Sequence, residues 1–424
     1  MQLEKYNFNN LLFFIFLYLT LVAGFAFDER LNYGTIYDNV INKHIINQFS
    51  INFKETLLYY DQHGHRHSPV YLIFLSFFLD LGLNYDSLRF IHLHLCLSLI
   101  LVFYNCLKLV FNNIKVHSLQ LLSLSIFLSP TFRSLSIWPD SRLPGLIFFI
   151  VSIYFFLKFF RNHQLKYAWF SSIALILSSY ISPNFSIFAI YFYYYFAKEI
   201  KIKSLVPLII FNILVSIPVF YYLFVLKINF LSSGKTVGID GGLLGISYNF
   251  ADKIMIIGSI ILFHLLPILL SINLNKDFLG FFKKYLLKSI IIFLPLIYFF
   301  NYQVEFTGGG FFFQLSQLLF NNNYLFFGIS FISFYFLLYF SKLSLNNFFL
   351  IILIIISNIQ NTIYHKYYDP MILIIFFTLF NKLNLELFFE KKRGLIYLYT
   401  FGLGYIFLRV FKDYAFGYMS NFYN

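Results

Sequence analysis

Apolar segments long enough to cross a lipid bilayer recur along the chain, and they constrain its fold more than any other feature. A helix needs about 20 apolar residues to span about 30 Å of hydrocarbon. Segments that approach this length lie at about 11–27, 88–110, 119–135, 143–160, 167–182, 184–197, 205–226, 254–272, 286–301, 324–340, 347–360, 370–389 and 395–411. Because only 12% of the residues are charged, a water-soluble enzyme is excluded. We therefore expect an all-α polytopic membrane protein with about 13 transmembrane helices.

The region 28–87 is the longest part that is not plainly transmembrane, and it contains one apolar segment of ambiguous length, Pro69–Leu83. If Pro69–Leu83 does not cross and the N-terminus is cytoplasmic, 18 of the 31 Lys and Arg residues lie inside. If it crosses, only 10 lie inside, against the usual cytoplasmic excess of Lys and Arg. We therefore predict that Pro69–Leu83 lies at the outer membrane surface. Region 28–87 becomes a long external first loop that carries juxtamembrane helices.

The net charge of +13 falls on the cytoplasmic face in this topology, while acids and bases balance on the external face. The surplus therefore indicates orientation, and no nucleic-acid partner is predicted. We expect a multi-pass protein of the bacterial inner (plasma) membrane with a cytoplasmic N-terminus. One alternative is that Leu11–Ala23 is the apolar core of a signal peptide that is cleaved at Gly24-Phe25-Ala26. No disulfide is expected, because Cys96 and Cys106 would lie about 15 Å apart on one helix.

Two short acidic motifs lie on the predicted external side. Asp28 and Glu29 directly follow the first apolar segment, where adjacent carboxylates can supply a general base. Asp140 and Arg142 lie in a very short loop between two predicted helices. The alternatives are an interfacial charge cluster for the first motif and a self-neutralising turn for the second.

A polar segment in the long external loop contains alternating histidines. His63, His65 and His67 would face one side of an extended chain, and with Asp61 they could bind a divalent metal. Alternatively, Arg66 and the histidines could bind a phosphate. We favour phosphate, because a guanidinium inside the cluster opposes a cation. A solvated polar loop is the third possibility.

A second basic segment, also predicted to be external, contains His365 and Lys366 between tyrosines. Tyrosines are common at membrane interfaces, so an ordinary aromatic belt is the alternative. The polar clusters are thus predicted at the external surface, whereas ion-coupled transporters usually need charged groups at mid-membrane. This distribution suits chemistry on a membrane-embedded substrate.

The order of these features resembles the GT-C superfamily of membrane glycosyltransferases, which includes polyprenyl-phosphate-sugar-dependent mannosyltransferases and aminoarabinose transferases. The resemblance rests on Asp28-Glu29 after the first helix, His67-Ser68-Pro69-Val70-Tyr71, the step from Gly82 to Arg89, and Asp140. It covers about residues 11–198. It implies a catalytic module at 1–198, which includes the loop 28–87, and a divergent C-terminal transmembrane region at 199–424.

The resemblance implies transfer of a sugar from a polyprenyl-phosphate donor to an acceptor hydroxyl on the external face, with inversion. Asp28 is then the general base, and Glu29 and Asp140 are further catalytic residues. The residues implied for the donor phosphate are Arg66, His67, Arg142, His365 and Lys366.

The acceptor class stays open among a glycan, a lipid and a protein. No cofactor is implied, although a divalent metal on Asp61, His63 and His65 stays an alternative. The alternative functions are a glycan enzyme of the O-antigen polymerase or ligase type and a lipid-linked glycan transporter or flippase.

Overall fold

The computed structural model describes residues 8–31, 33–63, 65, 67–228, 248–271, 276–303, 308–383, 385–390 and 393–420. Across these ranges the regular structure is helical, without a β-strand, which confirms the predicted all-α class. The helices before residue 228 are α1 (Phe8–Ala26), α2 (Tyr33–Ile51), α3 (Phe53–Leu58), α4 (Pro69–Asp80), α5 (Tyr85–Val110), α6 (Val116–Leu124), α7 (Pro130–Ile137), α8 (Arg142–Asn162), α9 (Leu165–Ile181), α10 (Ala189–Glu199) and α11 (Ile202–Phe220). Those after it are α12 (Phe250–Ser271), α13 (Lys276–Phe299), α14 (Gly310–Phe320), α15 (Tyr324–Leu343), α16 (Leu345–Ile356), α17 (Met371–Thr378), α18 (Glu386–Glu390) and α19 (Arg393–Ser420).

The chain divides into two compact units. The first comprises Met1–Leu231 together with Leu395–Asn424, and the second comprises Ser232–Gly394. The first unit contains α1 to α11 and nearly all of α19, and the second contains α12 to α18. The predicted division at residue 198 follows the extent of a motif resemblance and not compactness, so it stays a functional prediction.

Seven of the described helices are long and apolar enough to cross a bilayer. They are α1, α5, α8, α11 with the π-helical turn that follows it, α12, α15 and the first part of α19. The protein is therefore a multi-pass membrane protein in a lipid bilayer. Several other predicted spans form shorter helices, such as the 17 residues of α9 and the 12 of α16. The larger number of about 13 spans stays a prediction.

The predicted span 119–135 is wrong as a continuous helix. Helix α6 ends at Leu124, a 3₁₀ turn follows, and α7 begins at Pro130. Proline fits the first turn of a helix and disrupts a helix interior, because it lacks the N–H and clashes with the preceding turn. Ser129 caps the new helix, since its hydroxyl accepts from the Phe132 N–H at 2.9 Å.

The predicted span 370–389 is also interrupted, because α17 ends at Thr378. Two asparagine side chains on α16 bind the backbone beyond that end. Asn346 Nδ2 donates to Leu379 O at 2.7 Å, and Asn347 pairs with both the N–H and the C=O of Asn381. These bonds satisfy polar backbone groups that a helix would otherwise pair internally.

The long loop 28–87 contains three α-helices, α2, α3 and α4. Its centre is an apolar cluster in which Ile45 and Phe49 of α2 and Leu72 and Leu75 of α4 are buried. Tyr60 is fully buried in the same cluster, and its hydroxyl donates to His67 O at 2.8 Å. Burial raises the pKa of Tyr60 well above its usual value. The apolar cluster therefore fixes the segment that presents His67, while its depth in the membrane stays a prediction.

Helices α5, α7 and α8 form the interior against which that loop is placed. Both cysteines lie on α5 and are fully buried, as free thiols.

Helices α8 and α9 approach closely at Gly145, whose carbonyl accepts from Ser178 Oγ at 2.7 Å. A Cβ atom at Gly145 would lie 2.5 Å from the Cβ of Ser182. This contact fixes the N-terminal turn of α8.

We expect Gly145→Ala to lower the free energy of unfolding by about 1–3 kcal/mol, because the added methyl group overpacks the contact between α8 and α9. Gly404→Ala in α19 is the matched control, since no atom lies within 4 Å of its added Cβ. The free energy of unfolding of the control should rise by about 1 kcal/mol, because alanine has a higher helix propensity than glycine. Thermal denaturation in detergent measures both, and equal effects of the two substitutions would contradict the packing argument.

Candidate active site

Asp28 follows the end of α1 and presents a half-exposed carboxylate. Its backbone adopts the left-handed region at φ 51°, which aspartate tolerates better than most residues. Arg89 Nη2 lies 2.8 Å from Asp28 Oδ1, and the Asp28 side chain is 54% exposed. On its other side Arg89 Nη1 lies 3.3 Å from Asp86 Oδ1. The predicted general base is therefore oriented by a guanidinium and still reachable.

Arg89 is itself held by the segment that leads to Asp140. It is buried, and its Nε donates to Ile137 O at 3.3 Å. Its guanidinium lies over the Trp138 ring at 4.1 Å and the Phe25 ring at 5.0 Å. From the sequence, Arg89 was identified only as the end of the step from Gly82, and no partner was predicted for it. An arginine inside the first turns of an apolar helix is a signal that a partner exists, since such a group requires one.

Glu29 has both carboxylate oxygens bound to Arg133. Arg133 Nε donates to Oε1 at 2.7 Å and Nη2 donates to Oε2 at 2.5 Å, while Nη2 also donates to Thr20 O at 2.9 Å. Trp138 Nε1 donates to the backbone oxygen of Glu29 at 3.0 Å. The arrangement ties the end of α1 to α7. The catalytic role of Glu29 stays a prediction, and the geometry gives it a bridging role.

A second polar cluster surrounds Asp140, which is buried in the turn before α8. Asp140 Oδ1 accepts from the backbone N–H of Arg142 at 2.8 Å, and Oδ2 lies 3.6 Å from Arg142 Nη1. Arg142 Nη2 lies 3.5 Å from Asp38 Oδ2 on α2. Arg142 Nη2 also donates to His67 Nε2 at 2.7 Å. Because a guanidinium only donates, His67 Nε2 accepts and the imidazole is neutral.

This arrangement sets the charge around the predicted phosphate ligands. The carboxylates of Asp38 and Asp140 lie beside Arg142, and that of Asp140 also lies near His67. A carboxylate repels a phosphate. His67 and Arg142 stay predicted phosphate ligands, but such a role requires that the carboxylates be neutralised. Asp38 was missed by sequence reasoning.

The alternative metal ligands Asp61, His63 and His65 are not gathered by the structure. Residues 60–63 form a 3₁₀ turn, so the histidines do not alternate as on an extended chain. The His63 ring packs on His44, with the centroids 5.8 Å apart, and partial burial lowers its pKa. Burial lowers the pKa of His65 to about 3. His65 is therefore neutral at physiological pH. Arg66, another predicted phosphate ligand, lies outside the described residues.

The predicted basic pair His365 and Lys366 belongs to the second unit. His365 Nε2 accepts from the Phe311 N–H at 2.7 Å, in the first turn of α14, and its Nδ1 lies 3.4 Å from His264 Nε2. Lys366 is buried, with its Nζ 5.3 Å from the centre of the Tyr364 ring. Histidines of α12 and of the turn after α16 thus meet at the start of α14.

Within the first unit, three motifs that the sequence singled out separately meet around one turn. The turn is the one that contains Asp140. Asp28 pairs with Arg89, which stacks on Trp138 at the start of this turn. His67 of the histidine segment accepts from Arg142 at its end. None of the family models, curated proteins and solved structures compared with the chain matches it.

Proposed function

We propose that the protein is a GT-C-like membrane glycosyltransferase that moves a sugar from a polyprenyl-phosphate donor to an acceptor hydroxyl on the external face. One observation carries the proposal. The half-exposed carboxylate of Asp28 lies 2.8 Å from Arg89, which is itself bound to the turn that holds the buried Asp140. A reachable carboxylate, oriented by an arginine that also binds the segment leading to a buried carboxylate, fits acid–base work on a hydroxyl.

In the proposed reaction Asp28 removes the proton of the acceptor hydroxyl as the oxygen attacks the anomeric carbon. Attack from the face opposite the lipid phosphate inverts the configuration. Arg89 orients the Asp28 carboxylate, and because it is stacked on Trp138 it loses little further freedom. Asp140 orients the acceptor or assists the base.

The leaving lipid phosphate develops charge, which cationic donors stabilise best in a partly desolvated site. The candidates in the chain are Arg66, His67, Arg142, His365 and Lys366. The polyprenyl tail stays in the bilayer, which accounts for an enzyme built largely of apolar helices. The acceptor is a glycan, a lipid or a protein of the cell envelope, reached from the outside of the inner membrane.

The test is a transfer assay with the purified protein in liposomes, supplied with polyprenyl-phosphate sugars and a panel of hydroxyl acceptors. We expect transfer that depends on the polyprenyl-phosphate donor and inverts the anomeric configuration. Movement of the lipid-linked sugar across the bilayer without any transfer would contradict the proposal and indicate a flippase. Joining of glycan chains from a pyrophosphate-linked donor alone would instead indicate a polymerase or ligase.

A further inference from the structure

Three potential metal ligands from three different segments meet in the first unit. Asp38 comes from α2, His67 from the segment before α4, and Asp140 from the turn before α8, and one ligand atom of each lies within 4.8 Å of the others. His67 Nε2 and Asp140 Oδ2 are 3.9 Å apart. A divalent cation about 2.0–2.2 Å from each of two ligands separates them by about 3–4 Å, so this pair already has a suitable spacing.

The chemistry of the cluster suits a cation. Two of its three ligand atoms are carboxylate oxygens, which divalent cations bind well, and Arg142 lies near both carboxylates. His67 is already in the neutral form that a metal requires, since its Nε2 accepts from Arg142.

Buried polar atoms beside the three ligands supply independent support. Asn42 Oδ1, Ser141 Oγ and His65 Nε2 are buried and have no hydrogen-bond partner among the described residues. Asn42 lies one turn after Asp38, and its Nδ2 donates to Pro139 O at 2.9 Å, beside Asp140. Buried polar atoms are normally paired, so three in one place indicate that a ligand and its water belong there.

We propose that Asp38, His67 and Asp140 bind one divalent transition-metal cation of the Mn²⁺ or Zn²⁺ type. Two carboxylates with one imidazole form a mixed oxygen and nitrogen set, which suits these ions. Arg142 Nη2 donates a hydrogen bond to the lone pair of His67 Nε2, and a cation would bind the same lone pair. Binding of the cation therefore displaces the guanidinium from His67. The bound ion and the arginine are alternative partners of the same imidazole.

Cation binding is tested on the purified full-length protein in detergent, after removal of bound metal with a chelator. Mn²⁺ or Zn²⁺ should bind saturably at one equivalent and raise the melting temperature. Asp38→Asn and His67→Gln should each weaken the affinity at least about tenfold. The exposed side chains of His44 and Asp80 provide matched controls, and His44→Gln and Asp80→Asn should bind as the unchanged chain does.

Arg142→Met distinguishes a metal site from a purely structural cluster. We expect this variant to bind the cation more tightly, because its competitor for His67 is gone, and to recover with Mn²⁺ the thermal stability that it loses without it. Weaker binding in Arg142→Met would overturn the proposal. So would the absence of saturable binding, or unchanged affinity in both ligand variants. If Asp38→Asn does not fold, the cation affinity of His67→Gln alone tests the proposal. These readouts need no sugar transfer, so a failed transfer assay leaves them intact.

Discussion

Asp28→Asn should lose nearly all sugar transfer while the protein keeps its fold. A general base contributes about 10²–10⁴-fold to a rate, so kcat should fall by about that factor. Asparagine has the same shape and also tolerates the left-handed backbone found at φ 51°. Its amide oxygen can still accept from Arg89, so the change removes the basic function and little else. Initial rates and the melting temperature are measured on the same preparation.

Asp86→Asn is the matched control for this experiment. Asp86 also pairs with Arg89, at 3.3 Å, but its side chain is 80% exposed and belongs to the first turn of α5. Its removal should change the rate less than about threefold, since exposed ion pairs contribute little. Full activity in Asp28→Asn would refute the role of the base. Full activity there, combined with loss in Arg142→Met, would favour the polymerase or ligase alternative.

Arg133→Met should destabilise the protein strongly, more than Gly145→Ala does. Arg133 is buried in α7 and donates to both oxygens of Glu29 and to the backbone oxygen of Thr20. Its removal leaves the Glu29 carboxylate, 21% exposed, without its cationic partner. Breaking a buried pair in this way costs about 3–5 kcal/mol. Denaturation in mild detergent measures the loss in free energy of unfolding. The cooperative unfolding of the first unit should be affected before that of the second.

The double variant Glu29→Gln with Arg133→Met separates the ion pair from simple packing. Removing both charges abolishes the uncompensated carboxylate, so the double variant should be more stable than Arg133→Met alone. Additive losses from the two single changes would show that the pair contributes no coupling energy. A transfer rate that follows stability in these variants would support a bridging role for Glu29, and a selective loss of kcat in Glu29→Gln would support a catalytic one.

The long apolar helices could be predicted because hydropathy over about 20 residues depends on the length of a segment and not on its partners. Helices α1, α5, α8, α12 and α15 follow the predicted spans closely. The interruptions at Pro130 and after Thr378 were not predicted. The bonds at the end of α17 come from asparagines on another helix, which the local sequence does not indicate.

Only part of the candidate site could be predicted from the sequence. Asp28, His67 and Asp140 were found because they lie in polar segments between apolar ones. The ion pairs of the first motif were not predicted, because Arg89 and Arg133 lie inside helices and pair with Asp28 and Glu29, which are 61 and 104 positions away. Asp38 was missed for a similar reason, since it lies on α2 and meets Asp140 only through the packing of the long loop. Sequence spacing cannot indicate pairs of this separation.

The burial of both cysteines has a practical consequence for counting the membrane crossings. Cys96 and Cys106 have no exposed surface on α5, so a polar maleimide cannot reach either thiol in the folded chain. The unmodified protein therefore serves as a background for single cysteines introduced at the helix ends. Labelling of intact cells against opened ones then assigns each end to one side of the membrane. The number of crossings and the sidedness of Asp28 follow directly, without any change to the interior of the protein.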